Sequence, residues 1–141
     1  RQEGIGQIVW SPMAQGVLSG KYLPGKKPPT GSRATDKKSG AAMISRWMRD
    51  DVLSAVQKLQ PIAESVDLTM SQLALAWVLQ NDNVSSAIMG ATKPAQIKDN
   101  VKASGVKLPQ EVMAKIDQAI GAIAERDPKK NISPHPRPVW E

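Results

Sequence analysis

The sequence predicts an α/β fold organised around a parallel sheet. Two short apolar runs with strand character, Ile5–Trp10 and Val84–Met89, are separated by helical sequence. Each run is followed by a loop and then by helix, so the order reads as two βα units, the pattern of a parallel sheet. Each strand also ends in a segment rich in Gly, Ser, Thr and Lys, where α/β proteins place their ligands.

The first run, Ile5–Trp10, is apolar except for Gly6 and Gln7 and reads as a buried strand. Pro12 has no N–H to give a sheet, so the strand stops at Trp10-Ser11. Ser11 to Trp47 then reads as a long irregular segment, punctuated by Pro24, Gly25, Pro28, Pro29, Gly31 and Gly40. Loops of this length in a domain are usually functional or disordered. From Asp50 to Val66 the apolar residues Val52, Val56, Leu59, Ile62 and Val66 recur three or four apart and predict one helix, kinked or restarted at Pro61. Thr69-Met70-Ser71-Gln72 has the capping-box form and predicts a helix start at Thr69, with Leu73 and Trp77 as its apolar anchors. Asn81-Asp82-Asn83 ends it. After the second strand, Gly90-Ala91-Thr92-Lys93 makes a tight turn into a helix opened by Pro94, with Ile97 and Val101 facing inward. Pro109 opens a last helix whose stripe is Val112, Ile116, Ile120 and Ile123. Residues 128–141 are proline-rich and read as an extended tail beyond a folded unit at 1–127.

Composition narrows the function classes. The chain has 141 residues, 40% hydrophobic, enough for a core of its own. No apolar run reaches the length needed to span a bilayer. Arg1-Gln2-Glu3-Gly4 lacks the basic and apolar regions of a signal peptide, and the absence of cysteine suits a reducing compartment, so a cytoplasmic location is expected. No disulfide, thiolate nucleophile or Cys-ligated metal is available. The net charge of +6 suits a phosphate-bearing partner. Nucleic acid is not expected, because the basic residues are dispersed and one Tyr with no Phe leaves little for base stacking.

Both strand ends offer phosphate chemistry. Gly90, Thr92 and Lys93 precede a predicted helix start, where free N–H groups and the helix dipole attract anions; a plain capped turn is the simpler reading. Ser11, Gly16, Ser19, Gly20 and Lys21 form a loop able to wrap a pyrophosphate, without the spacing of a Walker loop or of G-x-G-x-x-G. Ser32 and Arg33 add a hydroxyl and a guanidinium that can grip phosphate in two-pronged fashion, or simply decorate a solvated loop. Trp10 reads either as a core residue or as a flat ring at a strand's carboxyl end. Two adjacent βα units with such loops suit the last quarter of a (β/α)₈ barrel, where the loops after strands 7 and 8 hold phosphate.

The segments "WSPMAQGVLSGKY", "GSRAT" and "AWVLQNDNVSSAIMGATKPAQIKDNV" together resemble the aldo-keto reductases, and most nearly the bacterial relatives of voltage-gated potassium channel β subunits. The resemblance runs from Gly4 to about Asp127. It implies the C-terminal part of a (β/α)₈ TIM barrel: strands 7 and 8, their helices, and an extra helix from Pro109 to about Ala124. It implies an NADP(H)-dependent reductase of small aldehydes or ketones. Trp10 would stack on the nicotinamide. Ser11, Pro12, Met13, Ala14, Gln15 and Gly16 would line the pyrophosphate and ribose. Lys21, Ser32 and Arg33 would hold phosphate groups. Gly90, Thr92 and Gln96 would surround the adenosine 2′-phosphate, and Asp99 and Asn100 the adenine edge. The family's Asp, Tyr, Lys and His tetrad belongs to the first half of its barrel, and none of those positions falls in this chain. Tyr22 and His135, the only tyrosine and histidine, are not expected to be catalytic. Two positions depart from the family pattern: Gly31 stands where many members carry Tyr, and Gln96 where many carry Arg. The resemblance therefore leaves open the preference for NADPH over NADH. It also leaves open a non-catalytic, NADPH-binding regulatory role or an inactive fragment. Two barrel strands would expose unpaired edges, so a partner supplying the N-terminal barrel half, or a second copy, is expected.

Overall fold

A computed structural model describes residues 4–125 and 127. The proline-rich tail expected at 128–141, with His135, lies outside the described residues.

The sheet has two strands among the described residues, β1 (Gln7–Trp10) and β2 (Val84–Ile88), and they pair in parallel as the alternation predicts. Ile8 aligns with Ser86, Val9 with Ala87 and Trp10 with Ile88, after a register shift between Gln7 and Ile8. Both strands therefore release their following loops at the same end of the sheet. The expectation of a buried first strand is corrected. Ile8 is 68% exposed, Trp10 74% and Ile88 59%. A parallel strand is buried only when both faces and both edges are covered, and here α4 (Met70–Leu79) packs beside β2 alone.

The segment expected to be irregular carries short helical turns: 3₁₀ turns at Ala14–Ser19, Arg33–Thr35 and Ser45–Trp47, and α1 (Gly40–Ile44). The turn at Arg33–Thr35 and α1 are locked by one carboxylate. Asp36 accepts from the main-chain N–H of Lys38 and Gly40, each at 3.0 Å, and from the Ser39 hydroxyl at 3.4 Å. The main-chain bonds of Lys38 and Gly40, in that order, hold its carboxyl below the usual range. Gly40 has a steric role there. A Cβ at this position would lie 2.5 Å from the Arg33 carbonyl oxygen, so the turn can close on α1 only over a glycine.

Of the kink or restart expected at Pro61, the structure takes the restart: α2 (Asp50–Gln57) is followed by α3 (Gln60–Glu64), with Pro61 in the first turn of α3. Proline's missing N–H costs nothing there, since first-turn donors have no intrahelical partner. Thr69 caps α4 with the reciprocal box the sequence predicts: the Gln72 N–H donates to Thr69 Oγ1 at 3.2 Å, and the Thr69 N–H to Gln72 Oε1 at 3.0 Å. The burial of α4 is wider than a single stripe. Gln72, Leu73, Ala74, Leu75 and Ala76 are all buried, while Trp77 is half-buried. The last helices are α5 (Pro94–Asn100), continued by a 3₁₀ turn at Val101–Ala103, and α6 (Gln110–Ile120).

Two clusters make the core. Leu59 and Ala63, Leu73, Leu75 and Ala76, Ala103, Leu108, and the α6 stripe Val112, Ile116 and Ile120 form the first. Val17, Tyr22, Ile44, Val52, Leu53 and Val56 form the second, which pins the long loop to α2. Leu18, Met70 and Ile123 pack against both and join them. None of the helices among the described residues is long and apolar enough to cross a membrane.

Candidate functional site

The loop after β1 is built on unusual backbone. Ser11, Ala14 and Gln15 take left-handed conformations with φ of 54°, 47° and 60°, and Gly16 follows at 95°. For a residue with a Cβ this costs on the order of 1 kcal/mol each, and such strain clusters where loops bind or catalyse. Pro12 is buried, and Met13 and Ala14 pack onto the two core clusters, so the turn is anchored from below. Main-chain bonds from Ala14 to the Ser11 carbonyl (3.0 Å) and from Gly16 to that of Met13 (2.9 Å) close it.

Polar side chains from two distant segments meet above this turn. Gln15 Nε2 donates to Ser11 Oγ at 2.7 Å, and Arg33 Nη1 donates to Gln15 Oε1. Lys21 reaches back over the same turn. Its Nζ lies 3.7 Å from where a Cβ on Gly16 would stand, and 5.2 Å from the centre of the Tyr22 ring. Gln57 fixes the far end of the loop by donating to the carbonyls of Gly20 (3.0 Å) and Tyr22 (3.1 Å). Among the described residues the ion pairs are Arg49–Asp51 and Lys102–Asp99, and neither Lys21 nor Arg33 takes part in one. Ser32, beside Arg33, is 8% exposed, and among the described residues its hydroxyl has no hydrogen-bond partner. A buried hydroxyl without a partner costs roughly 1–3 kcal/mol, and an acceptor brought by a ligand would relieve that. Trp10 stands at the strand end and is 74% exposed among the described residues. The hydroxyl of Tyr22 is buried in the second cluster, and no described group pairs with it.

The loop after β2 is organised differently. Gln96 Oε1 accepts from the Thr92 N–H (2.8 Å), the Thr92 hydroxyl (3.2 Å) and the Lys93 N–H (3.2 Å). Gln96 and Thr92 are thus together, with Gly90 two residues before. Asp99 is turned elsewhere. Its carboxylate accepts from Gln72 Nε2 at 2.9 Å and from the Thr69 hydroxyl at 3.4 Å, and its carbonyl takes a second bond from Gln72 at 3.0 Å. These groups and Lys102 border an open cleft of about 560 Å³. Asn100 is buried. The expectation that Ile97 and Val101 face inward is corrected, since they are 58% and 62% exposed. The polar anchor of Asp99 on the α4 cap sets the rotation of α5 and buries Asn100 and Ala103 in their place.

The structure therefore links Ser11, Gln15 and Arg33 by hydrogen bonds, with Lys21 over Gly16 and Ser32 next to Arg33 in sequence, and separately links Thr92 with Gln96, with Gly90 two residues before Thr92; Trp10 ends β1 opposite Ile88, at the sheet end from which both loops leave. Within α5, Gln96 is exposed, Asp99 is held at the α4 cap and Asn100 is buried. Sequence reasoning missed Gln72 and Thr69 as the holders of Asp99. The capping box was visible in the sequence, but its side-chain partner across 27 residues was not.

A parallel βα pair with two polar, cation-bearing loops at its carboxyl end defines an α/β protein, and that end is where open α/β sheets place their ligands. Residues 1–121 match the model of the aldo/keto reductase family, and the chain belongs to that family. Its relatives include a probable voltage-gated potassium channel subunit beta of Arabidopsis thaliana, 44% identical over 87% of this chain and 38% of the relative. A protein of the same description from Oryza sativa is 42% identical over 92% of this chain and 38% of its own length. A putative subunit beta from Schizosaccharomyces pombe is 44% identical over 83% and 34%. The chain spans little more than a third of the length of these curated relatives. The family is one of NADPH-dependent oxidoreductases built on (β/α)₈ barrels.

Proposed function

We propose that this chain supplies the dinucleotide-binding portion of an NADP(H)-dependent reductase of small aldehydes or ketones. In this reading residues 1–127 correspond to strands 7 and 8 of the barrel with their helices, and 128–141 form a tail. The other strands, and the Asp, Tyr, Lys and His that handle the proton, come from polypeptide outside these residues. The observation that carries the reading is the group of Ser11, Gln15, Lys21 and Arg33 at a strained turn, with two cations that form no ion pair among the described residues, and beside Arg33 the buried Ser32 hydroxyl, which has no partner among them. Its donor-rich chemistry fits a pyrophosphate and a further phosphate.

The bound cofactor would supply the hydride. The chain's own residues bind and orient. Trp10 offers a ring face at the strand end, and Ser11, Pro12, Met13, Ala14, Gln15 and Gly16 lie along the dinucleotide backbone. Lys21, Ser32 and Arg33 neutralise phosphate. Gly90, Thr92 and Gln96 approach the adenosine phosphate. Asp99 and Asn100 are assigned to the adenine edge, and Asp99 would reach it only by sharing its carboxylate with the α4 cap. Neither Tyr22 nor His135 is assigned a step. A cytoplasmic setting and a homo-oligomer belong to the same reading.

Titration with NADPH and NADH tests this. Trp10→Ala should weaken both cofactors several-fold, and Arg33→Ala should weaken NADPH more than NADH. Equal dissociation constants for the two cofactors in the unsubstituted protein defeat the phosphate assignment. A second reading, a non-catalytic NADPH-binding regulatory subunit, draws on the channel-subunit descriptions of the relatives. Tight NADPH binding by the complete protein without turnover of any aldehyde tried would favour it.

A further inference from the structure

We infer that Gln15 is the positioning residue of the phosphate loop: a neutral clasp that holds the Arg33 guanidinium over residues 11–16 while leaving its charge available to a phosphate. The inference rests on the dinucleotide reading of that loop. Gln15 uses both ends of its amide, giving Nε2 to Ser11 Oγ at 2.7 Å and taking Arg33 Nη1 on Oε1. One side chain thus ties the turn at the end of β1 to a residue 18 positions later.

The chemistry of the clasp is selective. Arg33 is exposed, and an exposed arginine samples many rotamers that an incoming anion would otherwise have to freeze. Holding it beforehand is pre-organisation, which raises affinity without adding a contact. A guanidinium carries five N–H donors, and the bond to Gln15 occupies one. A carboxylate in the same place would hold the arginine as firmly and cancel its charge. An amide holds it and cancels nothing. Lys21 flanks the other side of the turn over Gly16, and the unpartnered Ser32 hydroxyl sits next to Arg33. An anion seated on this turn would meet two cations whose places are already set.

The test is calorimetric titration of the complete protein that carries these 141 residues with inorganic pyrophosphate and with NADPH, alongside urea melts confirming that each variant is folded. Arg33→Ala should weaken both ligands by roughly 20-fold or more, as expected for loss of a charged phosphate contact. Gln15→Ala should weaken both by about 5-fold, and the double variant should bind no more weakly than Arg33→Ala alone. Gln15→Glu, the same shape with a charge, should bind more weakly than Gln15→Ala. If Arg33→Ala weakens binding while Gln15→Ala leaves it unchanged or tighter, or if Gln15→Glu binds as well as the unsubstituted chain, the clasp is overturned and the phosphate site stands. If the unsubstituted chain binds neither ligand, or Arg33→Ala is without effect, the dinucleotide reading falls and the clasp with it.

Discussion

Removing the Gln72 side chain should cost this fold about 3 kcal/mol, more than an exposed polar substitution and more than a comparable glutamine elsewhere in the chain. Gln72 is 5% exposed and makes three side-chain bonds: it accepts from the Thr69 N–H, and it donates to the carbonyl and to the carboxylate of Asp99. Two of these are neutral, worth roughly 1 kcal/mol each, and one is charge-assisted, worth roughly 1.5–3 kcal/mol. Partial access of water to Asp99, which borders the open cleft, lowers the sum toward 3. Gln80 is the internal control. It also makes three bonds, to the Ala76 and Val106 carbonyls at 2.9 Å and from the Leu108 N–H at 3.2 Å, with no charged partner. Gln80 is only half-buried, which lowers its three neutral bonds to about 2 kcal/mol together, so urea unfolding followed by circular dichroism should rank Gln72→Ala as more destabilising than Gln80→Ala by about 1 kcal/mol, with unchanged m-values. Thr69→Ala should lose part of the same energy, and in the Gln72→Ala background it should lose less. A Gln72→Ala effect below that of Gln80→Ala would refute the charge-assisted tie between α4 and α5.

Asp36 gives the expected pH response. Its folded-state pKa lies below the ordinary value of 3.8, because main-chain N–H groups favour the charged form. Its contribution is therefore complete above about pH 5 and is lost as pH falls through the depressed value. The difference in urea midpoint between the unsubstituted chain and Asp36→Ala should be flat from pH 7 to about 5 and should narrow as pH falls below the ordinary value of 3.8; a difference that grows with acid would contradict it. Tyr22→Phe removes a buried hydroxyl that no described group satisfies, so stability should hold or rise by up to about 1 kcal/mol, read in the same melts. NADPH affinity should not change in that variant, and a loss would place the hydroxyl in the site.

Much of this was legible because local chemistry decided it. Thr69 and Gln72 formed the box their types and spacing allow, Pro94 opened α5, and Val112, Ile116 and Ile120 turned inward at helical spacing. The parallel pairing of β1 with β2 followed from the βα alternation. What failed was orientation set by tertiary bonds. Ile97 and Val101 have the spacing of a core face, but α5 is seven residues long and its rotation is decided by Asp99 reaching the α4 cap. A short helix has too little apolar area to overrule such an anchor. The clasp of Gln15 with Arg33 was equally out of reach, because it joins residues that sequence places in separate parts of one loop.

The first strand shows the opposite kind of departure. Its sequence, Gln7-Ile8-Val9-Trp10, has the apolar density of a strand covered on both faces, yet Ile8, Trp10 and Ile88 are each more than half exposed. Covering three such side chains would contribute roughly 1.5–3 kcal/mol apiece, a sum comparable with the whole stability of a small domain. Helices α4 and α6 and the loop at Val17 and Tyr22 bury apolar residues in the two clusters. An apolar pattern records the environment in which a strand was selected, and the structure records how much of that environment these residues provide. The unmet demand lies on the sheet and also beyond it, at Ile97 and Val101, which are likewise more than half exposed. The loop after β1, by contrast, draws its anchors from Pro12, Met13, Val17 and Gln57, so its shape rests on contacts inside these residues where the faces of the sheet do not.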